Sequence, residues 1–130
     1  MIQYNGLTLA YLGDAIYEVY IREFLLVEGY TKVDKLHKKA ITYTSAKGQK
    51  KALDKIFDLL TEKEINVFKR GRNASTDRKP RNTDLATYKQ ATGFEALIGF
   101  LYLNNELERL EELINIIKKW ERFILIFFNN

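Results

Sequence analysis

Cysteine is absent, histidine occurs once, at His37, and proline once, at Pro80. The first absence removes disulfides, thiolate metal sites and cysteine nucleophiles. The second leaves any Ser-His-Asp arrangement or histidine-rich metal site dependent on one residue beside Lys38 and Lys39, a setting typical of a protein surface. No glycine-rich phosphate loop of the Walker or dinucleotide type occurs. No run of about 18 uncharged apolar residues exists, so nothing is expected to span a bilayer. The longest apolar segment, near the C-terminus, is broken by Lys118, Lys119, Glu121 and Arg122. Met1 to Gly6 lack the basic start and apolar run of an export signal. A cytoplasmic location without a membrane partner is the expectation.

The chain has 130 residues, of which 46% are hydrophobic and 13% aromatic, enough to bury a core. That length suits one domain over residues 1–130. The net charge of +4 is unevenly spread. Between Lys32 and Lys55 eight lysines are opposed only by Asp34 and Asp54, and between Lys69 and Arg81 six bases are opposed only by Asp77. The remainder is acidic. Segregation of this kind points to a face for a polyanion; solvated lysine-rich helix faces account for it equally well.

Helical periodicity dominates and strand-like alternation is scarce, which predicts an all-α fold. A first helix is predicted over about Leu7 to Val27. It is apolar nearly all round (Leu9, Leu12, Ile16, Val19, Tyr20, Phe24), as a central buried helix would be, with one polar stripe of Asp14, Glu18 and Arg22. A basic helix follows from about Val33 to Ala46 and a shorter one around Gln49 to Leu60. Thr61-Glu-Lys-Glu64 has the form of a capping box and opens a helix ending near Gly71. Gly71 to Thr83, polar and holding the proline, reads as a loop. Thr83 or Asp84 caps a long helix from about Leu85 to Leu103. Asn104-Asn105 breaks it, and a last helix covers about Glu106 to Phe127. Its apolar stripe at 113, 114, 117, 120, 124 and 127 predicts core or subunit packing, a membrane-surface helix being the alternative.

With other chemistries set aside, carboxylates remain. Asp14 and Glu95 each sit in a largely apolar helix, where an unpartnered carboxylate is costly. Two acids converging from two helices would make a hard-oxygen site suited to Mg²⁺ and to phosphoryl hydrolysis. From spacing alone, each acid facing water or pairing with a lysine is the favoured reading. Gly13 and Gly99, inside predicted helices, cost about 1 kcal/mol each against alanine. They suggest close approach of the two helices near the acids, with or without a catalytic purpose. The segment Lys69-Arg-Gly-Arg-Asn-Ala-Ser-Thr-Asp-Arg-Lys-Pro-Arg81 is suited to phosphate and 2′-hydroxyl contacts. It lacks interleaved aromatic residues, which favours duplex backbone over single-strand stacking.

Leu12-Gly-Asp-Ala-Ile-Tyr-Glu18 resembles the signature helix of ribonuclease III domains. Phe94-Glu-Ala-Leu-Ile-Gly99 with Tyr102-Leu103 resembles their second signature. Leu36-His-Lys-Lys-Ala40, Ser45-Ala-Lys47, Lys69-Arg-Gly-Arg-Asn-Ala74, and Thr87-Tyr88 through Ala91-Thr-Gly-Phe-Glu95 resemble the mini-ribonuclease III branch. The resemblance covers about Leu7 to Glu112. It implies a homodimeric helical bundle with one acidic site per subunit and double-stranded RNA across the dimer groove. The implied reaction is Mg²⁺-dependent cleavage, with Mn²⁺ able to substitute, leaving a 5′-phosphate and a 3′-hydroxyl. The implied substrate is the precursor of bacterial 23S ribosomal RNA, with a ribosomal protein or pre-ribosomal particle as a further partner. Asp14 matches the catalytic aspartate and Glu95 the metal-binding glutamate, both counted as catalytic and as metal ligands. Lys69, Arg70, Arg72, Asn73, Arg78, Lys79 and Arg81 are the implied RNA contacts, and Glu18 an auxiliary.

The sequence departs from the full-length family at two acids, having Ala10 and Thr92 where carboxylates are usual. Asp14 and Glu95 are then the retained inner pair. It also holds no segment for a separate double-stranded-RNA-binding domain, which puts the grip on the Lys69–Arg81 segment and the Lys32–Lys55 region. The alternatives are a non-catalytic duplex-RNA-binding module of the same fold and, more remotely, a helical protein-interaction domain. Counterion release predicts that affinity for duplex RNA falls steeply as salt is raised. A filter-binding titration at two ionic strengths checks this, and a protein-interaction domain would show no such dependence.

Overall fold

The structure, a computed structural model, describes residues 3–74 and 81–129, with only the backbone of 120–129. Six helices follow one another: α1 Gly6–Val27, α2 Val33–Thr44, α3 Ala46–Ile56, α4 Glu62–Ala74, α5 Leu85–Leu103 and α6 Leu107–Asn129. A 3₁₀ turn, Phe57–Leu59, joins α3 to α4. Among the described residues there is no strand.

Local chemistry sets the boundaries. Asn5 caps α1 by accepting the Thr8 amide at 2.9 Å, and Asp84 caps α5 by accepting that of Thr87 at 2.8 Å. The Thr61–Glu64 capping box forms as predicted: the Glu64 carboxylate accepts the Thr61 amide at 2.8 Å, and the Thr61 hydroxyl accepts the Glu64 amide at 3.2 Å. α1 and α5 end alike. Gly29 (φ 105°) and Asn105 (φ 57°) take left-handed backbone, and the amides of Tyr30 and Glu106 reach back to the carbonyls of Leu25 and Leu101. Both are six-to-one Schellman closures, and glycine or asparagine is what a left-handed position admits.

Three expectations change. Ser45 divides what was expected as one helix to Ala46: its backbone is extended and its hydroxyl accepts the Gly48 amide at 3.1 Å, so α3 starts earlier, at Ala46. The predicted loop from Gly71 is helical through Ala74, because Gly71 serves as a contact point within α4. α1 is not the wholly buried helix. It hides Leu9, Tyr17, Ile21 and Leu25 but leaves Val19 and, at 84% exposure, Tyr11 on the surface. The central helix is α5, buried on nearly every side from Ala91 to Leu101 and touching α1, α3, α4 and α6. Of the predicted C-terminal stripe, Leu113, Ile114 and Ile117 are buried in the chain's own core; positions 120, 124 and 127 lie outside the described side chains.

α6 is fastened to α4 by charge. Arg109 grips Glu64 through two nitrogens, Nε at 2.9 Å and Nη2 at 2.8 Å, and Nη2 also donates to the Leu59 carbonyl at 2.7 Å. The Glu64 side chain is only 6% exposed. Loss of one partner of such a pair strands a buried charge, whereas the Arg109–Glu112 pair at 3.1 Å has an exposed acid. Arg109→Met is expected to cost about 2–3 kcal/mol in urea unfolding. Glu112→Ala is expected to cost under about 1 kcal/mol. Equal losses would show that the Glu64 contact carries no special weight.

Candidate active site

The site begins where α1 and α5 cross. A Cβ on Gly13 would overlap the Glu95 carbonyl, and one on Gly99 would overlap the Leu9 carbonyl. Only hydrogen at both positions lets the backbones meet, so the close approach expected from the two glycines is present. Asp14 follows Gly13 and Glu95 lies one turn before Gly99, so the crossing delivers both carboxyls to one spot. Asp14 lies near enough for its hydrogen-bonding and its charge to act on the Glu95 carboxyl. Asp14 is exposed and Glu95 half-buried. Asp14 thus faces water, whereas Glu95 is only partly exposed and pairs with no lysine among the described residues.

A carboxyl partly withdrawn from water beside a second acid favours its neutral form. Burial, then the hydrogen bond and charge of Asp14, push the Glu95 carboxyl up to about 8. One group works the other way. Gln49, from the first turn of α3, donates its amide Nε2 to Glu95 Oε2 at 3.3 Å and favours the ionised form.

The positions lacking an acid contribute no further charge. Ala10 is buried, and the buried Thr92 donates its hydroxyl to its own helix at the Tyr88 carbonyl, 3.0 Å away. Glu18 lies one turn beyond Asp14 but is held by Arg22 Nε at 3.0 Å. No group of three histidine, cysteine or acidic residues gathers among the described residues. The donor set is therefore two carboxylates open on the Asp14 side. Carboxylate oxygens are hard donors, and a proton on the raised Glu95 carboxyl is what a cation would displace, so the set fits Mg²⁺ or Mn²⁺ with water completing the coordination.

The basic end of α4 is brought to this region by two more glycines. Gly71 lies against Thr92, Gly93 and Ala96 on the turn of α5 that carries Glu95, and Gly6 lies against the Arg70 carbonyl. Lys69 and Asn73 are exposed. Arg72 lies over the Phe68 ring at 5.6 Å and donates Nε to Asn73 at 3.1 Å. Arg70 is half-buried and donates to the Tyr4 carbonyl, which makes it an anchor of the N-terminal segment as much as a ligand group. Arg81 is exposed ahead of α5. Arg78 and Lys79 lie outside the described residues. His37 is exposed on α2.

Gln49 was not singled out from the sequence. Its signal was there: it occupies the head of the stripe 49, 52, 53 and 56, whose other members are the buried Ala52, Leu53 and Ile56. A polar residue in such a stripe calls for a buried partner.

The Ribonuclease III domain family matches residues 7–106 of the chain. The chain belongs to the ribonuclease III family. Members of this family are endoribonucleases that act on double-stranded RNA, and this chain is an endoribonuclease of that kind. It is 52% identical over 115 residues to the mini-ribonuclease 3 of Enterococcus faecalis, covering 87% of each chain. It is 46% identical over 113 residues to that of Streptococcus pneumoniae, covering 85% of this chain and 88% of the other. A crystal structure of a protein from Fusobacterium nucleatum superposes with a TM-score of 0.82 at 39% identity, covering 92% of this chain and 95% of that one.

Glu95 makes metal-free stability depend on pH with a definite sign. A carboxyl raised in the folded state binds a proton that the unfolded chain has released, so its contribution is complete below the ordinary carboxylate range and is lost as pH rises through about 8. In chelator, the melting temperature of Glu95→Gln is expected to gain on that of the unaltered protein between about pH 5 and about pH 9. Parallel curves would mean that the Glu95 carboxyl is not raised in the folded state.

Proposed function

We propose that the chain cleaves duplex RNA with Mg²⁺ held by Asp14 and Glu95, Mn²⁺ being able to replace it. The observation that carries this reading is the acid pair made by the Gly13–Gly99 crossing, a juxtaposition that costs stability and has no other evident use. When bound, the ion would supply an activated water and stabilise the leaving 3′ oxygen, giving 5′-phosphate and 3′-hydroxyl ends. The protein's own part is to hold two carboxylates in register and to set the phosphate beside them. Lys69, Arg72, Asn73 and Arg81, with Arg78 and Lys79 of the adjoining segment and Arg70 to a lesser degree, are the phosphate and 2′-hydroxyl contacts. Glu18, engaged by Arg22, acts at most on ordered water near Asp14.

The working form is a homodimer of one-domain chains. Leu7, Tyr11 and Ala15 make an exposed strip along α1 beside Asp14. An exposed tyrosine on a helix that is otherwise half-buried is an anchor of the kind that interfaces use. A second copy on this strip would adjoin the acid pair and extend the groove for a duplex. Among the described residues no helix is long and apolar enough to cross a membrane. The substrate we infer is the duplex formed by the ends of the 23S ribosomal RNA precursor, cut in the bacterial cytoplasm, on a pre-ribosomal particle or beside a ribosomal protein. The resemblance to mini-ribonuclease III supports that choice.

The test is incubation of the protein with long duplex RNA, with Mg²⁺ or with chelator, beside Asp14→Asn. Internal cleavage dependent on Mg²⁺ is expected, and the variant should be slower by about 1,000-fold, the scale of several kcal/mol of lost charge stabilisation. RNA binding by both proteins with cleavage by neither would leave a duplex-RNA-binding module.

A further inference from the structure

α3 turns three buried residues into the core at 52, 53 and 56, and the fourth member of that stripe is an amide. Gln49 is 3% exposed. Burying a primary amide costs free energy unless its hydrogen bonds are met. The partner that its Nε2 finds is the Glu95 carboxyl of another helix, 3.3 Å away and 46 positions along the chain. Leucine or methionine in that place would extend the apolar stripe without the cost, so stability alone gives no reason for glutamine.

The backbone that carries Gln49 is held tightly. The Ser45 hydroxyl caps the Gly48 amide, and the Gln49 amide bonds to the Ser45 carbonyl at 2.8 Å. Gly48 lies so near the Thr42 carbonyl that a Cβ would overlap it, which locks the start of α3 onto the end of α2. A side chain launched from so constrained a turn is a fixed reference for the group it touches. An amide also suits its neighbour. It grips a carboxyl oxygen through N–H yet carries no charge, so it neither repels a cation as lysine would nor repels the acid pair as glutamate would.

We propose that Gln49 is a positioning residue: it holds the Glu95 carboxylate in the single orientation from which Glu95 and Asp14 chelate one divalent cation. This rests on the reading of the acid pair as a metal site. Gln49 acts through Glu95. The other positions that flank the pair offer nothing equivalent, since Ala10 has no donor and the Thr92 hydroxyl is turned to Tyr88.

The test is calorimetric titration of Mn²⁺ alone into the RNA-free protein and into Gln49→Met, Gln49→Leu, Glu95→Gln and the double variant Gln49→Met with Glu95→Gln, with melting temperatures taken in chelator. Gln49→Met is expected to melt at the same temperature or higher, because an apolar side chain completes the stripe, while Mn²⁺ binds about 10-fold to 100-fold more weakly. On the Glu95→Gln background the same change should weaken binding no further. Gln49→Leu serves as a second apolar replacement should the methionine variant fold poorly. A lower melting temperature with unaltered Mn²⁺ affinity would reduce Gln49 to a structural residue. Losses that add fully in the double variant would also overturn the inference, since Gln49 would then act independently of Glu95. If Glu95→Gln itself binds Mn²⁺ as the unaltered protein does, the acid-pair reading falls, and this inference with it. Weak binding by Glu95→Gln beside unaltered binding by Gln49→Met removes this inference alone.

Discussion

Where α1 crosses α5, Gly13 and Gly99 leave backbone against backbone, and any side chain at either position would drive the helices apart. Glycine inside a helix weakens it, so each is tolerated for what the contact permits. What it permits is the meeting of Asp14 and Glu95, which lie one residue and one turn from the contact. Other elements are arranged around this crossing. Gly71 and Gly6 bring the basic end of α4 against α5 and α1 in the same manner, and Gly48 does so for α3 against the end of α2. Close helix contact is thus this chain's recurring device for bringing charged or polar side chains from separate helices into reach.

Two buried acids in the fold receive opposite treatment. Glu64 is enclosed, gripped at both oxygens by Arg109 and bonded to the Thr61 amide, and the Arg109 hydrogen bonds hold its carboxyl below the ordinary range. Its charge is fully spoken for, and its work is to join α4, α6 and the Leu59 turn. Glu95 is given another acid and a neutral amide, and its carboxyl is driven up. An acid with a complete cationic partner among the described residues, and one without, is the contrast on which the proposed metal reading of Glu95 rests.

Much of this was legible in the sequence because it depends on local rules. The capping box at Thr61–Glu64, the cap at Asp84, the break at Asn104-Asn105 and the helix over 85–103 follow from short-range spacing, and all are present. The misplaced boundaries have separate causes. Gly71 resembles a helix stop yet is helical, because α5 occupies the space of the missing side chain, and the extended, capping Ser45 divides what reads as one helix to Ala46. Local patterns do not show what packs against a glycine. The same limit applies to α1, whose apolar residues on all sides suggested full burial. Apolarity does not tell a core face from an exposed one, and Tyr11 and Val19 lie on the latter. Gln49 was overlooked because its partner is 46 positions away.

The absence of carboxylates at positions 10 and 92 has a consequence for charge. Ala10 and Thr92 are buried, so their places are closed by packing and the anionic donors at the site remain two. Two carboxylates balance one divalent cation. A second cation beside the first would need negative charge from outside the protein, and the phosphate of a bound duplex is the available source. On the proposed reading of the pair as a metal site, occupancy beyond the first ion is linked to substrate, and by reciprocity duplex affinity near the pair rises with the metal. A chain with four acids could load its ions before RNA arrives; with two, that reading makes the arrival of RNA and the completion of the site one event. The exposed bases of α4 and Arg81 matter more in such a scheme, because they hold the duplex during the interval in which the site is not yet complete.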